Sequence, residues 1–491
     1  MKFEDFSAEE IDAVMQKAWH AFGLYKSYSF HQRAQFMQAI AEELQALGDQ
    51  LIEVAMKETN LPESRLVGER GRTIFQLNSY AAACIKGEWL EVRIDSGDPD
   101  RKPPKPDIRK TKVPLGPVVV FGASNFPFAY STAGGDTACA FAAGCPVIVK
   151  AHPAHAETSQ LVAGAIERAA SKTRMPEGIF AHVHGAGFET GRALVQHPMT
   201  KAVGFTGSYL GGKQLFDWGN QRKEPIPVFA EMGSINPIFL LPHKLSDGAA
   251  ELASLCAGSI TLGAGQFCTN PGLIIGMDSA GLQAFTSALG NEIRKAVPAP
   301  MLHPGIKRAY TENKANALVQ SAVQLVAEAA QPAGEMDAMP TIATATGAAF
   351  LNNPVLHREV FGPYSIIISC HDEKELLAVA QHLEGQLTAS VMATHQDILE
   401  NEALLEAIKN LCGRLIYNNV PTGVEVCLSM HHGGPFPATT DSRFTSVGAD
   451  GIKRFARPMA YQNWPDQLLP EELKAGNPLG IWRTVNNELV K

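Results

Sequence analysis

The chain has 491 residues, of which 45% are hydrophobic and 19% are charged, a composition that excludes disordered and fibrous proteins. Its formal net charge of −8 is spread along the chain without a basic stripe, which argues against nucleic acid or an anionic membrane surface as a partner. The first residues are acidic and polar, and no uncharged apolar run reaches the ~18 residues of a membrane span, so we expect neither secretion nor membrane insertion.

The eight cysteines are widely spaced and include no Cys-x-x-Cys pair. None of them stands at a metal-site interval from a histidine. We therefore expect reduced thiols in a cytoplasmic protein.

Residues 7 to 86 are predicted to form helices. Ser7-Ala-Glu-Glu10 has the pattern of a capping box at the start of the first helix. Further along, the segment 66–77 carries Glu69, Arg70 and Arg72 within a helical pattern that is otherwise becoming apolar. These charges either form a solvated helix face or serve a function, and the pattern alone does not decide between the two.

The stretch 91–112 marks a boundary in the chain. Its prolines, glycine and scattered charges break both helical and strand patterns. We expect an arm or hairpin that stands away from the body of the protein.

From residue 113 onward, short apolar runs alternate with helical patterns. The predicted strands are 118–121, 147–150, 179–184 and 201–205, and the predicted helices are 138–143, 159–170 and 190–197. Repeated β-α-β units predict a doubly wound, mostly parallel sheet. Ligands bind such sheets at the carboxyl ends of the strands, so the residues that follow each run are candidates for function.

Two glycine-rich loops follow predicted strands and open helices. The first, Gly185-Ala-Gly187-Phe-Glu-Thr-Gly191, is one residue longer than the dinucleotide fingerprint and is a weak signal alone. The second, Gly207-Ser208, opens the next helix, and two adjacent turns with exposed N–H groups would suit a pyrophosphate. Lys150 ends a third predicted strand, where its ammonium could bind ribose hydroxyls or a 2′-phosphate. The alternative is that its side chain only extends from the strand end so that the ammonium reaches water.

Two residues further along have the chemistry of a base and a nucleophile. Glu231 is a lone carboxylate between an apolar run and Gly233, and apolar surroundings would raise its pKa, which suits a general base. A solvent-facing Glu at a strand end has the same pattern. Cys268 lies in Gly265-Gln-Phe-Cys-Thr-Asn-Pro-Gly272, where a tight turn presents a thiol, although an isolated Cys is also often a small buried hydrophobic residue.

Five motifs, in order, resemble those of the aldehyde dehydrogenase superfamily. They are Ser124-Asn125-Phe126-Pro127, Phe205-Thr-Gly207-Ser208, Glu231-Met-Gly233 with Asn236-Pro237, Gly265-Gln-Phe-Cys268, and Glu359-Val-Phe361-Gly-Pro363. The resemblance runs over nearly the whole chain. It implies an α/β fold with a Rossmann-type cofactor domain, an α/β catalytic domain and a β oligomerisation arm.

Roles for individual residues follow from that resemblance. It makes Cys268 the nucleophile, Glu231 the base and Asn125 the side-chain donor to the oxyanion. Glu359 and Phe361 would position the nicotinamide ribose and ring. The reaction implied is oxidation of an aldehyde to a carboxylic acid through a thiohemiacetal and a thioester on Cys268.

The resemblance also implies a cofactor seat. Its residues would be Lys150, His152, Pro153, Gly187, Gly207 and Ser208. Pro153 stands where many NAD-preferring members carry a Glu that holds the ribose 2′-hydroxyl, so a carboxylate that would repel a 2′-phosphate is missing. We therefore expect NADP as cofactor, with NAD also accepted. A second departure, Ser234-Ile235 in place of the usual Gly-Lys or Gly-Ser, leaves the base in place.

The family architecture implies a division of the chain. The cofactor-binding domain would comprise residues 1–90 and 112–235, with 431–464 returning to it, and the catalytic domain residues 236–430. The oligomerisation arm would comprise 91–111 and 465–491. Homodimers or homotetramers are expected.

Local stretches resemble one branch of the superfamily, which contains α-ketoglutaric semialdehyde dehydrogenases and an NADP-linked long-chain aldehyde dehydrogenase. They are Lys150-Ala-His-Pro153, Gly68-Glu-Arg-Gly-Arg-Thr73, and the segments 413–427 and 431–441. The last of these holds His431 and His432. Because no carboxylate stands at a zinc-ligand interval from this pair, we expect no metal.

The resemblance also implies that Arg72 and Phe126 line the funnel through which the substrate reaches Cys268. A guanidinium there would bind the far carboxylate of a short oxo-acid, so the expected reaction is 2,5-dioxopentanoate to 2-oxoglutarate. The alternatives are an NADP-dependent dehydrogenase of medium-chain or long-chain aldehydes, a CoA-acylating enzyme, and a catalytically inactive structural relative. A CoA-acylating enzyme typically lacks the equivalent of Glu231.

Overall fold

The computed structural model describes residues 3–491. Its α-helices are α1 (Ala8–Tyr25), α2 (Phe30–Ala46), α3 (Gly48–Thr59), α4 (Glu63–Lys86), α5 (Gly135–Ala143), α6 (Ala156–Lys172), α7 (Phe188–Gln196), α8 (Tyr209–Asn220), α9 (Pro242–Thr261), α10 (Ala280–Lys295), α11 (Pro304–Leu318), α12 (Gly347–Asn352), α13 (Glu373–His382), α14 (His395–Glu400) and α15 (Glu402–Leu411). Its strands are β1 (Arg93–Asp95), β2 (Ile108–Pro114), β3 (Val118–Phe121), β4 (Val147–Lys150), β5 (Phe180–Val183), β6 (Ala202–Thr206), β7 (Val228–Glu231), β8 (Ile238–Leu240), β9 (Leu273–Met277), β10 (Ala299–Pro300), β11 (Gln324–Glu328), β12 (Asp337–Ala338), β13 (Thr341–Thr346), β14 (Tyr364–Cys370), β15 (Gln386–Met392), β16 (Cys412–Tyr417), β17 (Ala456–Gln462), β18 (Arg483–Val485) and β19 (Glu488–Val490).

The first four helices confirm the helical prediction for residues 7 to 86. Ser7 Oγ accepts from the N–H of Glu10, and the Glu10 carboxylate accepts from the N–H of Ser7, which completes the predicted capping box. α4 ends at Gly87, whose φ of +69° favours glycine. Among residues 3–491, no helix is both long and apolar enough to cross a lipid bilayer.

A parallel sheet with the strand order β5-β4-β3-β6-β7 confirms the predicted β-α-β pattern. Successive residues of β3 enter different cores: Val118 and Val120 pack into one hydrophobic cluster, and Val119 packs into another. The sheet is therefore covered on both faces, as continuous apolar strands require.

A second sheet has the order β11-β13-β14-β9-β8-β15-β16 and is parallel except where the edge strand β11 pairs with β13. It too is covered on both faces, because Ile274 and Ile275 of β9 belong to different clusters. The loop that carries Cys268 leads directly into β9. The second sheet therefore positions the candidate nucleophile, whereas the first sheet positions Glu231 at the end of β7.

A third sheet, ordered β17-β2-β1-β18-β19, forms the arm. β1 and β2 pair antiparallel, and an isolated bridge joins Asp98 to Lys105 in the connection between them, so the stretch 91–112 contains the expected hairpin. β18 adds to β1 from the C-terminal tail. The sheet also takes in β17, although the sequence division assigned residues 456–462 to the segment that returns to the cofactor-binding domain.

Candidate active site

The turn after β7 fixes both the base and the nucleophile loop. Glu231 is the last residue of β7, and Gly233 turns the chain with a φ of +110°. Asn236 follows, fully buried, and its Nδ2 donates to the carbonyl oxygens of Cys268 (2.8 Å) and Asn270 (3.0 Å). Asn236 thereby ties the nucleophile loop to the end of the strand that carries the base.

The departure from the family pattern at residues 234 and 235 is accommodated by one glutamine. Gln386 Oε1 accepts from Ser234 Oγ (2.7 Å), from the N–H of Ile235 (2.8 Å) and from the N–H of Asn236 (3.2 Å). All four residues are buried. Gln386 therefore satisfies three buried donors of the turn after Glu231, as buried polar groups require.

Two of the five motifs pack directly on each other. Gly265 has a φ of +65°, and a Cβ added there would lie 2.3 Å from the backbone of Gly362. Asn270 Nδ2 donates to the carbonyl oxygen of Gly362 at 3.0 Å. The loop of Cys268 and the segment of Glu359 and Phe361 are therefore held in one arrangement, and only glycine fits at this crossing.

Cys268, Glu231 and His432 form a compact group. Cys268 Sγ lies 3.5 Å from His432 Nε2, and the same nitrogen lies 3.4 Å from Glu231 Oε1. Glu231 Oε2 accepts from Ser446 Oγ at 2.9 Å. His432 and Glu231 are 1% and 3% exposed, so water hardly screens the interactions within the group.

The electrostatics of the group keep the thiol protonated in the absence of substrate. Burial raises the pKa of Cys268 well above its usual range. The charges of Glu231 and Glu359 raise it further, and the charge of Arg414 lowers it. A base at the thiol is therefore needed to generate the thiolate, and His432 is in contact with it.

The expectation of a raised pKa for Glu231 is wrong. Burial acts in that direction, but the charge of His432 and the hydrogen bonds from His432, Ser446 and Cys268 outweigh it and hold the pKa below its usual value. The carboxylate is therefore ionised at neutral pH. The other open alternative, a solvent-facing Glu, is also wrong, because the residue is buried.

The group also has the composition of a metal site. One ligand atom each from Glu231, Cys268 and His432 lies within 4.8 Å of the other two. The sequence argument against a metal relied on spacing along the chain, and the fold supplies a carboxylate and a thiol to His432 from distant segments. The same three groups are what a thiol nucleophile with a base requires, so the expectation of no metal stays a prediction.

Asn125 lies beside the nucleophile loop. Its Nδ2 donates to the carbonyl oxygen of Gln266, two residues before Cys268, at 3.2 Å. An amide nitrogen has two donors, so one remains for an oxyanion. The N–H of Cys268 also has no acceptor among residues 3–491. These two donors form a candidate oxyanion hole.

The charged residues of α4 do not form a solvated face. Glu69 is 4% exposed, and its Oε1 accepts from the N–H groups of Phe128 (2.8 Å) and Ala129 (3.0 Å). Arg70 is half-buried and donates to the carbonyl oxygen of Gly48. Glu69 thus supports the turn that follows Asn125 and Phe126.

Sequence analysis did not single out Arg65, one turn before Glu69, yet its guanidinium lies inside the site. It lies 4.6 Å from the ring centres of both Phe126 and Phe267, and its Nη2 donates to the carbonyl oxygen of Asn125 at 3.1 Å. Burial lowers the pKa of Arg65, and the charge of Glu69 raises it. Arg65 joins the segment of Asn125 to the residue next to the nucleophile.

Arg72 lies near the approach to Cys268. Its Nη1 donates to the carbonyl oxygen of Val424. Burial raises the pKa of Tyr130, and the charge of the Arg72 guanidinium lowers it. Arg414 reaches the same loop and donates to Pro421 (2.6 Å) and Gly423 (3.0 Å). Arg414 was missed as well, although the branch-like segment 413–427 contains it.

The expected cofactor residues lie at the carboxyl edge of the first sheet. Gly187 and Ser208 are the N-caps of α7 and α8, and Ser208 Oγ accepts from the N–H of Gly211 at 3.2 Å. Gly207 cannot carry a side chain, because a Cβ would lie 2.6 Å from the ring of Phe205. Without a side chain at Gly207, the N-terminus of α8 is open to an anion, whereas the Asp5 carboxylate lies at the start of α7.

Lys150 and His152 lie at the same edge but differ in charge. Lys150 is half-buried, and its ammonium forms no hydrogen bond or ion pair within residues 3–491. Burial and neighbouring cations hold the pKa of His152 well below its usual value, so this imidazole is neutral at neutral pH. Pro153 opens a short 3-10 helix beside them.

Glu359 and Phe361 belong to the segment before β14, and Glu359 lies beside the turn of Gly233. A Cβ on Gly233 would lie 2.7 Å from Glu359 Oε2, so the carboxylate fits against the backbone there. Burial raises the pKa of Glu359 to about 8. An uncharged carboxyl group in this position donates as well as accepts hydrogen bonds.

Comparison with known proteins identifies relatives of the whole chain. The profile of the aldehyde dehydrogenase family matches residues 1–443. The chain is 47% identical over 475 residues to Alpha-ketoglutaric semialdehyde dehydrogenase 2 of Azospirillum brasilense. This alignment covers 96% of this chain and 90% of that protein. It is 45% identical over 491 residues to Alpha-ketoglutaric semialdehyde dehydrogenase of Acinetobacter baylyi, and the alignment covers 100% of this chain and 93% of that protein.

A solved structure supports the fold independently. The 1-pyrroline-5-carboxylate dehydrogenase from Thermus with bound NAD superposes with a TM-score of 0.79 over 93% of this chain and 86% of that chain, at 21% identity. The expected combination of a Rossmann-type sheet and a second α/β sheet is confirmed. Profile, relatives and fold agree with the ordered motifs, and the chain belongs to the aldehyde dehydrogenase family.

Proposed function

We propose that this aldehyde dehydrogenase oxidises 2,5-dioxopentanoate, the semialdehyde of α-ketoglutarate, to 2-oxoglutarate. The observation that carries the proposal is a set of guanidinium groups near the partly buried Cys268. Arg65 lies against Phe267, the residue before Cys268, and Arg72 and Arg414 both donate to the loop 421–424. Such groups bind a substrate carboxylate well and would be costly to desolvate for an alkyl chain. The names of the two relatives at 47% and 45% identity support the same substrate.

The first half-reaction forms a covalent bond at Cys268. In the form of His432 whose Nε2 carries no proton, this nitrogen, 3.5 Å from the sulfur, takes the thiol proton, and the thiolate adds to the aldehyde carbon. The oxyanion accepts hydrogen bonds from the Asn125 amide and the N–H of Cys268. When bound, the nicotinamide cofactor accepts the hydride that leaves this carbon, and a thioester remains on Cys268.

The second half-reaction hydrolyses the thioester. Glu231 Oε2 is occupied by Ser446, whereas the buried Oε1 lies on the side of the thiol, 3.4 Å from His432 Nε2. Oε1 is therefore available to take a proton from the water that attacks the thioester carbon. Retention of this base supports hydrolysis to the acid rather than transfer of the acyl group to CoA.

The chain fits a nicotinamide cofactor at the carboxyl edge of the first sheet. Phe188 and Leu210, in the first turns of α7 and α8, are 81% and 80% exposed, and such apolar side chains suit the faces of an adenine ring. The N–H of Ser208 at the start of α8 would hold the pyrophosphate, with Gly187 close by, and Lys150 would bind the ribose. Glu359 and Phe361 would then hold the nicotinamide end.

We expect both cofactors to be used and NADP to be favoured, because Pro153 offers no carboxylate to the ribose and Lys150 offers a cation. Introducing a carboxylate by Pro153→Glu should lower kcat/KM with NADP relative to NAD, by about 10-fold for each 1.4 kcal/mol of repulsion. The measurement is kcat/KM for both cofactors in wild type and variant. Strict dependence of the wild type on NAD would refute the preference.

Arg72→Met should raise KM for 2,5-dioxopentanoate by about 10-fold or more and leave KM for hexanal unchanged. The reason is that the variant removes a cation from beside Tyr130 but keeps a side chain of similar length. Arg70→Met is the matched control, because Arg70 is on the same helix and binds Gly48 instead. Steady-state formation of reduced cofactor measures both constants.

The same assay decides between the substrate classes. An equal loss for both aldehydes in Arg72→Met would mean that Arg72 only supports the loop through Val424. A wild-type preference for medium-chain or long-chain alkyl aldehydes would refute the proposed substrate. Absence of oxidation with every aldehyde would favour a catalytically inactive relative.

We further propose a homodimer or homotetramer in a reducing cytoplasm. The arm sheet carries exposed apolar side chains at Met459 and Leu489, and the edge strand β16 of the second sheet carries them at Leu415 and Tyr417. Edge strands of this kind invite pairing with another chain. All eight cysteines are free, which supports a reducing setting.

A further inference from the structure

The segment 3–6 is docked on the loop that follows β5. The N–H of Phe6 donates to the carbonyl oxygen of His184 at 3.1 Å. The ring of Phe3 stacks on the imidazole of His184, with ring centres 4.0 Å apart and planes 5° apart. The chain therefore places its N-terminal residues at the carboxyl edge of the first sheet, beside the proposed cofactor seat.

Within this segment, Asp5 presents its carboxylate to the glycine loop. Oδ1 accepts from the N–H of Ala186 at 2.8 Å. Oδ2 forms no hydrogen bond among residues 3–491 and lies 4.0 Å from the position that a Cβ on Gly187 would occupy. One oxygen thus anchors the carboxylate at the start of α7, and the other remains free to accept a hydrogen bond.

Lys150 is close enough to experience this charge. β4 and β5 pair in parallel with Lys150 opposite Val183, and the N–H of Ala151 donates to the carbonyl oxygen of Val183 at 2.9 Å. The residue after Lys150 and the loop of Ala186 therefore leave the sheet side by side. Asp5 raises the pKa of Lys150, in opposition to burial, which lowers it.

We propose that Asp5 is the specificity residue that discriminates between the two nicotinamide cofactors at the adenosine ribose. The inference rests on the cofactor seat proposed above. A ribose bound at Lys150 lies beside the loop of Ala186 and Gly187, where the Asp5 carboxylate is anchored. A carboxylate accepts a hydrogen bond from a 2′-hydroxyl, whereas it repels a 2′-phosphate.

The N-terminal segment thereby supplies the acidic group that the sequence lacks at Pro153. Sequence spacing could not indicate this, since Asp5 lies 181 positions from Ala186, its hydrogen-bond partner. Asp5 would limit the preference for NADP that Lys150 and Pro153 favour. The competing role for Asp5 is purely structural: a cap on the N-terminus of α7, with no effect on the choice of cofactor.

Calorimetric binding of NADP+ and NAD+ to the unreacted enzyme tests the inference without turnover. Asp5→Asn removes the charge, and its amide oxygen still accepts from Ala186, so the loop is preserved. We expect the affinity for NADP+ relative to NAD+ to rise by about 10-fold in this variant. Asp5→Glu retains the charge and should stay close to wild type.

Glu4→Gln is the matched control, because it removes one negative charge from the adjacent residue, whose carboxylate forms no hydrogen bond or ion pair within residues 3–491. This variant should leave the ratio of the two affinities unchanged. An unchanged ratio in Asp5→Asn, or an equal rise in Glu4→Gln, would overturn the role of Asp5. Failure of the wild type to bind either cofactor would refute the cofactor seat itself.

Discussion

Cys268→Ala is expected to lower aldehyde oxidation by about 10⁴-fold or more, the scale on which enzymes lose activity with their nucleophile. Neither the thiohemiacetal nor the thioester forms without the sulfur. The loop itself should be retained, because Asn236 binds the carbonyl oxygen of residue 268 and not its side chain. Steady-state formation of reduced cofactor measures the loss, and calorimetry should find cofactor binding unchanged.

Cys427→Ala provides the matched control for this variant. Cys427 is also a free thiol but is exposed, and it should be dispensable for oxidation. Iodoacetamide should inactivate the wild type and the Cys427→Ala enzyme alike, because both retain Cys268. Substantial oxidation by Cys268→Ala would exclude the covalent mechanism, and loss of activity on Cys427→Ala alone would move the nucleophile to that residue.

The sequence predicted the elements that depend on local patterns. The capping box at Ser7 and the strands around Val118 are encoded by neighbours within a few residues, so periodicity and turn chemistry suffice to find them. The ordered motifs placed Glu231 and Cys268 correctly at a strand end and a tight turn. The arm hairpin was found from its prolines, whereas the pairing of β17 with β2 has no such local signal in the sequence.

The partners of the site residues could not be predicted in the same way. His432 lies 164 positions from Cys268 in the sequence, and only the fold brings the two together. The paired histidines 431 and 432 were noticed, but the search for a metal ligand set looked for a carboxylate close in sequence. A signal was present in the expected division of the chain. His432 lies in a segment expected to return to the cofactor-binding domain, and Glu231 belongs to that domain in the same division.

The expectation of a raised pKa for Glu231 was wrong for the same reason, because its partners are distant in the sequence. From the sequence its surroundings were apolar, and burial alone would raise the pKa. In the fold, His432 and Ser446 approach from a distant part of the chain and stabilise the carboxylate. Likewise, the sequence left open whether the charges of α4 form a solvated face or serve a function. The groups that bind the buried Glu69 are the N–H groups of Phe128 and Ala129, which are distant in the sequence.

Glu231→Gln is expected to separate the two half-reactions. The variant should form about one equivalent of reduced cofactor per site in a burst and then stall at the thioester, with turnover lowered by ~10²–10⁴-fold. Gln keeps the size of the side chain and an oxygen that accepts from Ser446, so the turn before Gly233 should be preserved. Rapid mixing with detection of reduced cofactor measures the burst and the steady state in one experiment.

The pH dependence distinguishes this role from one in activating the thiol. Because the pKa of Glu231 is lowered, the carboxylate stays ionised as pH falls below neutrality, and hydrolysis should persist. Because the pKa of Cys268 is raised, the thiolate becomes scarcer with each step down in pH, and the burst should slow in wild type and variant. Glu231→Asp, which retains a carboxylate, should recover part of the turnover. An unchanged steady-state rate in Glu231→Gln would remove Glu231 from hydrolysis, whereas loss of the burst would place it in the first half-reaction, beside His432, as the group that deprotonates Cys268.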